Sequence, residues 1–202
     1  MEQFVSYVGA IVASGEMGES RYLSKNNNNI LRLPTIAKAF PDATILIPFR
    51  DPIQQANSLL RQHQLFCERH REDPFARNYM YWLGHHEFGL THRAFRFVEN
   101  DAISNGDPTD INYWLHVWHD TYAYLLRTRP ANANFICYEQ LCRKPVTLMA
   151  KLMNLIGVEG SAEAYGDAFV SAEHRSTPNV AAELAAHTAS LYRELAQSAV
   201  LE

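Results

Sequence analysis

Arg50 closes the apolar run "ATILIPF" and is followed by Asp51, Pro52 and, eight residues after the arginine, Ser58. A guanidinium grips two oxygens of a phosphate through parallel hydrogen bonds. A serine on a following helix leans back toward that helix's N-terminus and can reach a further oxygen. The pair therefore suits a phosphate monoester, although Arg-Asp-Pro also serves as a salt bridge plus a helix start. Upstream, Lys25 precedes four asparagines and offers a second cation, or else a surface lysine beside a turn.

A second set of reactive types lies in "YMYWLGHHEFGLTHRAFRF", which carries His85, His86, Glu87 and His92. Imidazoles titrate near neutrality and can take a proton from a hydroxyl; in an aromatic segment they also serve as hydrogen-bonded packing residues. Tyr79, Tyr81, Trp82 and Phe88 read as core or pocket wall. His116, His119 and Asp120 share one side of a helix, but spacing places no third ligand, so no metal site is expected. Glu139, after Tyr138, reads as a local cap or salt bridge, or as a functional carboxylate at a strand's end.

Strands and helices must position these groups. Phe4, Val8, Ile11 and Val12 repeat at helical spacing, and Ile30 to Phe40 repeats likewise, with Pro34 tolerated near the first turn. Tyr22 to Ser24 is a candidate short strand, and the asparagines read as a turn capping helix 30–40. "ATILIPF" reads as a parallel strand covered on both faces, with Pro48 tolerable at its end. Pro52 then starts a helix over 53–70. The aromatic segment reads as a helix broken near Gly84 or Gly89, and Asp110 as the N-cap of a helix over 111–127. "NANFICYEQL" reads as a second buried strand, followed by a helix from Pro145 to Gly157. Helices over 162–172 and 180–199 complete an α/β alternation: a parallel sheet with helices on both faces, in one domain spanning 1–202.

Eighteen Lys and Arg against twenty-two Asp and Glu give a formal charge of -4, so no global field invites nucleic acid. Fourteen of the eighteen cations are arginines, suited to planar recognition of phosphate or carboxylate. Hydrophobic residues at 47% and charged residues at 20% are the balance of a globular chain. Cys67, Cys137 and Cys142 show no metal spacing and point to a reducing compartment. Neither a membrane span nor a signal peptide is legible, and a cytoplasmic address is the expectation.

The stretch from Lys25 to Ser58, "KNNNNILRLPTIAKAFPDATILIPFRDPIQQANS", resembles the PAPS-dependent sulfotransferases: a lysine, a Leu-Pro helix, "FPDA", a buried strand, then Arg-Asp-Pro with its serine. "FICYEQLCRKPVTLMAKLMNLIGVEG" resembles the same family's Tyr-Glu-x-Leu strand end, proline-started helix and closing Gly. The resemblance implies a P-loop-like, three-layer α/β fold. It also implies transfer of a sulfuryl group from 3'-phosphoadenosine 5'-phosphosulfate to a hydroxyl or amine of a small-molecule or glycan acceptor. It places Arg50 and Ser58 at the donor's 3'-phosphate and Lys25 beside the transferred group. More loosely, it places Arg175 and Ser176 of "HRSTPN" near that 3'-phosphate.

The chain departs from the family in two places. "ASGEMGES" lacks the basic residue and preceding strand of a phosphate loop, so the chain reads as beginning inside the family's domain, without its first strand. The exposed edge this leaves favours self-association. Asn27 stands where cytosolic members carry their base histidine, and an amide cannot take a proton. His85 and His86 are the substitutes of suitable chemistry. The competing readings are a non-catalytic binding module that keeps the nucleotide pocket and, on fold alone, a P-loop kinase.

Overall fold

The computed structural model describes residues 1–15, 21–170 and 179–199. Helix α1 (Glu2–Ala13) is followed by a 3-10 turn (Asn27–Leu31) and α2 (Leu33–Ala39). Strand β1 (Ile45–Phe49) then leads into the long α3 (Pro52–Glu72), α4 (Pro74–Trp82), α5 (Asp101–Ser104) and α6 (Ile111–Thr128). Strand β2 (Ala133–Cys137) is followed by α7 (Tyr138–Arg143), α8 (Pro145–Ile156), a 3-10 turn (Ala162–Tyr165) and α9 (Ala182–Gln197).

β1 and β2 pair in parallel, Ile45 opposite Ala133 and Phe49 opposite Cys137. Their ends therefore finish level, and the turns into α3 and α7 emerge side by side. The alternation of the strands decides what each face meets. Ile47 and Phe49 of β1, with Ala133, Phe135 and Cys137 of β2, pack against Trp118, Tyr122 and Leu125 of α6 and Leu191 and Leu195 of α9. On the other face, Ile136 packs with Leu141, Leu148, Leu152 and Phe169. Helices thus lie on both faces of β2. β1 differs from the expectation of double cover: Leu46 and Pro48 are exposed, so only one of its faces is buried.

Pro48 sits inside the strand rather than at its end, and the ladder shows why it is tolerated. The Ile45 N–H donates to Asn132 O across the pair at 3.0 Å. By alternation the position of the missing Pro48 N–H falls on the edge away from β2, where no ladder bond is lost. The Pro48 carbonyl on that edge accepts from the Tyr122 hydroxyl at 3.0 Å.

Several expectations shift at the ends of elements. Residues 22–24 are coil rather than strand. Asn26 caps the 3-10 turn through the Asn28 N–H at 2.8 Å rather than α2, which begins at Leu33 with Pro34 in its first turn. α4 stops before Gly84 (φ +75), and residues 83–98 form no further helix. The helix expected over 162–172 is a single 3-10 turn within the described residues. Asp110 caps α6 as expected, accepting from the Asn112 N–H at 2.9 Å. Gly157 closes α8 in the left-handed region at φ 62. Of the apolar stripe on α1 only Val8 is buried; Phe4 and Ile11 are exposed. No helix among the described residues is long and apolar enough to cross a membrane.

The two faces of the sheet should respond differently to truncation. Phe135→Ala, at a fully buried position, is expected to cost about 3–5 kcal/mol in urea denaturation. Leu46→Ala on the open face should cost about 0.5 kcal/mol or less.

Candidate functional site

The site grows from the paired strand ends. Asp51 ends the turn after β1 and caps α3, its Oδ1 accepting from the Gln54 N–H at 2.9 Å, while Pro52 opens the helix without an N–H to satisfy. Glu139, one residue into α7, reaches across and accepts the Asp51 N–H on Oε1 at 2.8 Å. Its Oε2 accepts from the Tyr192 hydroxyl of α9 at 2.9 Å. One carboxylate therefore ties the end of β1, the end of β2 and the last helix together. Burial is the first cause that pushes the Tyr192 hydroxyl well above the ordinary tyrosine range, followed by Cys137 and Glu139, so it stays a donor.

Arg50 is held in this frame without being neutralised. Its Nη2 donates to Gln54 Oε1 at 3.2 Å, and its guanidinium lies 5.6 Å from the centroid of the Tyr138 ring. Its Nε is buried with no hydrogen-bond partner among the described residues. The ion pairs among the described side chains are His85 with Glu87 and His119 with Asp120, so Arg50 has no carboxylate partner. Arg129, at the opposite end of the sheet, is the contrast: it donates to Ala133 O at 2.7 Å and lies over the Phe135 ring. A half-buried guanidinium with an unpaired N–H costs free energy until an acceptor arrives.

Ser58 is exposed, four residues beyond Gln54. Side chains four apart share one face of a helix. Gln54, which holds Arg50, and Ser58 therefore stand in one line along α3, and no hydrogen bond joins Ser58 to Arg50. Lys25 is exposed in the coil before the 3-10 turn, with Asn27 exposed beside it. No hydrogen bond or ion pair joins Lys25 to Arg50 or Ser58. Arg175 and Ser176 lie outside the described residues.

The histidine segment is attached elsewhere on α3. The Gly89 N–H donates to His63 Nδ1 at 3.3 Å and the Leu90 N–H to His70 Nδ1 at 3.2 Å. His92 Nε2 meets the Tyr113 hydroxyl at 2.8 Å. A helical rise of about 1.5 Å per residue puts His63 about 14 Å and His70 about 24 Å along the axis from Gln54. The aromatic segment thus packs on the middle and far parts of α3. Gly89 (φ +81) comes so close that a Cβ there would meet the His70 ring at 2.5 Å. His85 Nδ1 lies 3.5 Å from Glu87 Oε2, and His86 Nδ1 lies 3.2 Å from Thr91 O. Neither contacts Arg50 or Ser58. If each donates from Nδ1, its Nε2 lone pair stays available.

Among the described residues no group of three or more His, Cys, Asp or Glu is gathered to hold a metal ion. His119 instead contacts Asp120 Oδ1 at 3.1 Å, and Asp120 Oδ2 accepts from Asn100 at 2.8 Å.

The model of the sulfotransferase family matches residues 1–162, which include both strands and the Arg50, Ser58 and Glu139 positions. The chain belongs to the sulfotransferase family. No curated protein and no solved structure matches it significantly. Membership supports sulfuryl transfer as the general activity, and the helices around a parallel strand pair are compatible with the family's α/β architecture.

Gln54, Tyr192, His63 and His70 carry roles that the sequence reading missed. Gln54 lies three residues after Asp51, a capping distance, and His63 and His70 lie seven apart on one face of α3, so both had a local signal. Tyr192 had none, because its partners come from distant segments.

Burial is the leading cause that lowers His63, from 6.5 to about 4, and it also lowers His70 and His92. An unfolded chain takes up protons near 6.5, before the folded chain does. Stability is therefore full above that pH and falls as pH drops from 6.5 toward 4. His63→Asn keeps an acceptor for Gly89 and removes one titrating ring. Melting curves should show a loss of Tm between pH 7 and pH 4.5 that is about 5 °C smaller in this variant than in the wild type.

Proposed function

We propose that this sulfotransferase-family domain binds 3'-phosphoadenosine 5'-phosphosulfate, with Arg50 and Ser58 holding the 3'-phosphate, and transfers its sulfuryl group to an acceptor hydroxyl or amine. The observation that carries the reading is the half-buried Arg50, at the end of a parallel strand, whose Nε has no partner and whose guanidinium has no carboxylate among the described residues. Ligands of parallel sheets gather beyond such ends. A phosphate oxygen would satisfy the Nε–H and balance the charge in one contact. The wider three-layer, P-loop-like architecture and a single domain over 1–202 belong to the same reading.

In this reading the acceptor oxygen or nitrogen attacks sulfur in line, and the bond from sulfur to the bridging phosphate oxygen breaks. The electron pair leaves on the phosphate, and the acceptor's proton passes to a base. Lys25 stabilises charge growing on the leaving oxygen, the electrostatic logic of phosphoryl transfer. His85 and His86 are the proposed bases, each accepting at Nε2 when its Nδ1 carries the proton. Arg175 and Ser176 complete the phosphate contacts, no metal takes part, and the domain acts in the cytoplasm. The acceptor is a small molecule or glycan. A second reading, a nucleotide-binding module without catalysis, is favoured by one observation: Asn27 stands where a base histidine would serve.

Incubation with sulfur-labelled donor and a panel of phenols, alcohols, amines and oligosaccharides separates the two. The proposal predicts label transfer that falls by about a hundredfold in Lys25→Ala, through lost charge stabilisation, with Arg50→Ala raising the donor KM. Donor binding without transfer to any acceptor would favour the non-catalytic module.

A further inference from the structure

A carboxylate beside an arginine usually pairs with it, and such a pair would fill an anion site from within. Glu139 is close enough to bond the peptide joining Arg50 to Asp51, yet it makes no ion pair with Arg50. Both of its oxygens are engaged by neutral donors. The Asp51 N–H takes Oε1, and the Tyr192 hydroxyl takes Oε2, with the Cys137 thiol at 3.6 Å from the same oxygen. The thiol is a weak donor and cannot hold a carboxylate alone. Tyr192 is itself fixed, its ring edge-on to Phe49 at 5.7 Å.

We infer that Tyr192 is a positioning residue: its hydroxyl holds the Glu139 carboxylate away from Arg50 and so keeps the guanidinium available to an anion. The inference rests on the reading of Arg50 as the phosphate-binding group and adds a residue from a distant helix that controls it. Without the hydroxyl, Oε2 loses its main partner and becomes free to turn to Arg50, whose following peptide Oε1 already holds. The internal ion pair then competes with the phosphate. The burial that raises the Tyr192 pKa keeps the proton on its oxygen throughout the neutral range.

Tyr192→Phe keeps the ring against Phe49 and deletes only the donor. Tyr192→Phe with Glu139→Gln deletes the donor and the competing charge together. The readouts are calorimetric affinity for adenosine 3',5'-bisphosphate and the Arg50 Nε–Hε resonance in nitrogen-15 NMR spectra without nucleotide. Tyr192→Phe is expected to weaken binding by about tenfold, the worth of one charge-assisted hydrogen bond, and to shift the Arg50 resonance. The double variant should restore both. An unmoved resonance with unchanged affinity in Tyr192→Phe would overturn the inference, as would a loss that persists in the double variant, which a purely structural role would cause. A wild-type chain that does not bind the nucleotide, while the resonance still moves in Tyr192→Phe and returns in the double variant, would uphold the clamp and refute the donor reading instead.

Discussion

The bond from the Asp51 N–H to the Glu139 carboxylate, 2.8 Å across the ends of two parallel strands, is the constraint on which the site depends. It exists because β1 and β2 run in register and finish together, and the register is held by the alternating face that buries Phe49 and Phe135 under α6 and α9. A slip of one residue would turn those rings outward and separate the two turns. Packing in the core and the direction of Arg50 are therefore one problem. The core supplies a rigid platform, and the carboxylate transmits its position to the turn that carries the guanidinium.

The electrostatics of this end of the sheet are unusual in what they leave unfinished. Several polar groups of the frame are matched: Trp118 donates to Gln55, Tyr122 to Pro48, Arg129 to Ala133, while the neutral Asn132 Oδ1 and Gln140 Oε1 are buried without a partner among the described residues. Arg50 is the charged group that keeps a buried N–H without a partner among the described residues, while a carboxylate nearby is occupied by other donors. Native folds rarely leave a charged group so placed unless something else completes it. Family membership supports a sulfate donor, and the proposed function takes the phosphate of such a donor as the group that completes Arg50.

Much of the frame was legible in the sequence, and the reasons are local. Continuous apolar runs bounded by turn residues marked both strands, Asp110 and Pro52 marked helix starts, and Gly157 marked a helix end. The positions of Arg50 at a strand end and Ser58 on the following helix were legible from the apolar run and Pro52, and their role as a phosphate pair is the proposal. What could not be read depends on contacts between distant segments. The 83–98 segment has helical composition, yet His63 and His70 on α3 take backbone N–H groups from Gly89 and Leu90 and hold it as coil. The open face of β1 follows from what packs on it, which the run "ILIPF" cannot reveal. Tyr192 looks like any aromatic on a helix until α9 is placed beside β2.

The central claim is that Arg50 reads a 3'-phosphate, and discrimination between two nucleotides tests it most directly. Calorimetric titration with adenosine 3',5'-bisphosphate and with adenosine 5'-monophosphate isolates that group. The account predicts that the bisphosphate binds at least about tenfold more tightly, one charge-assisted hydrogen-bond pair's worth, and that Arg50→Ala removes the difference. Equal affinity for the two nucleotides, or a preference that survives Arg50→Ala, would contradict it.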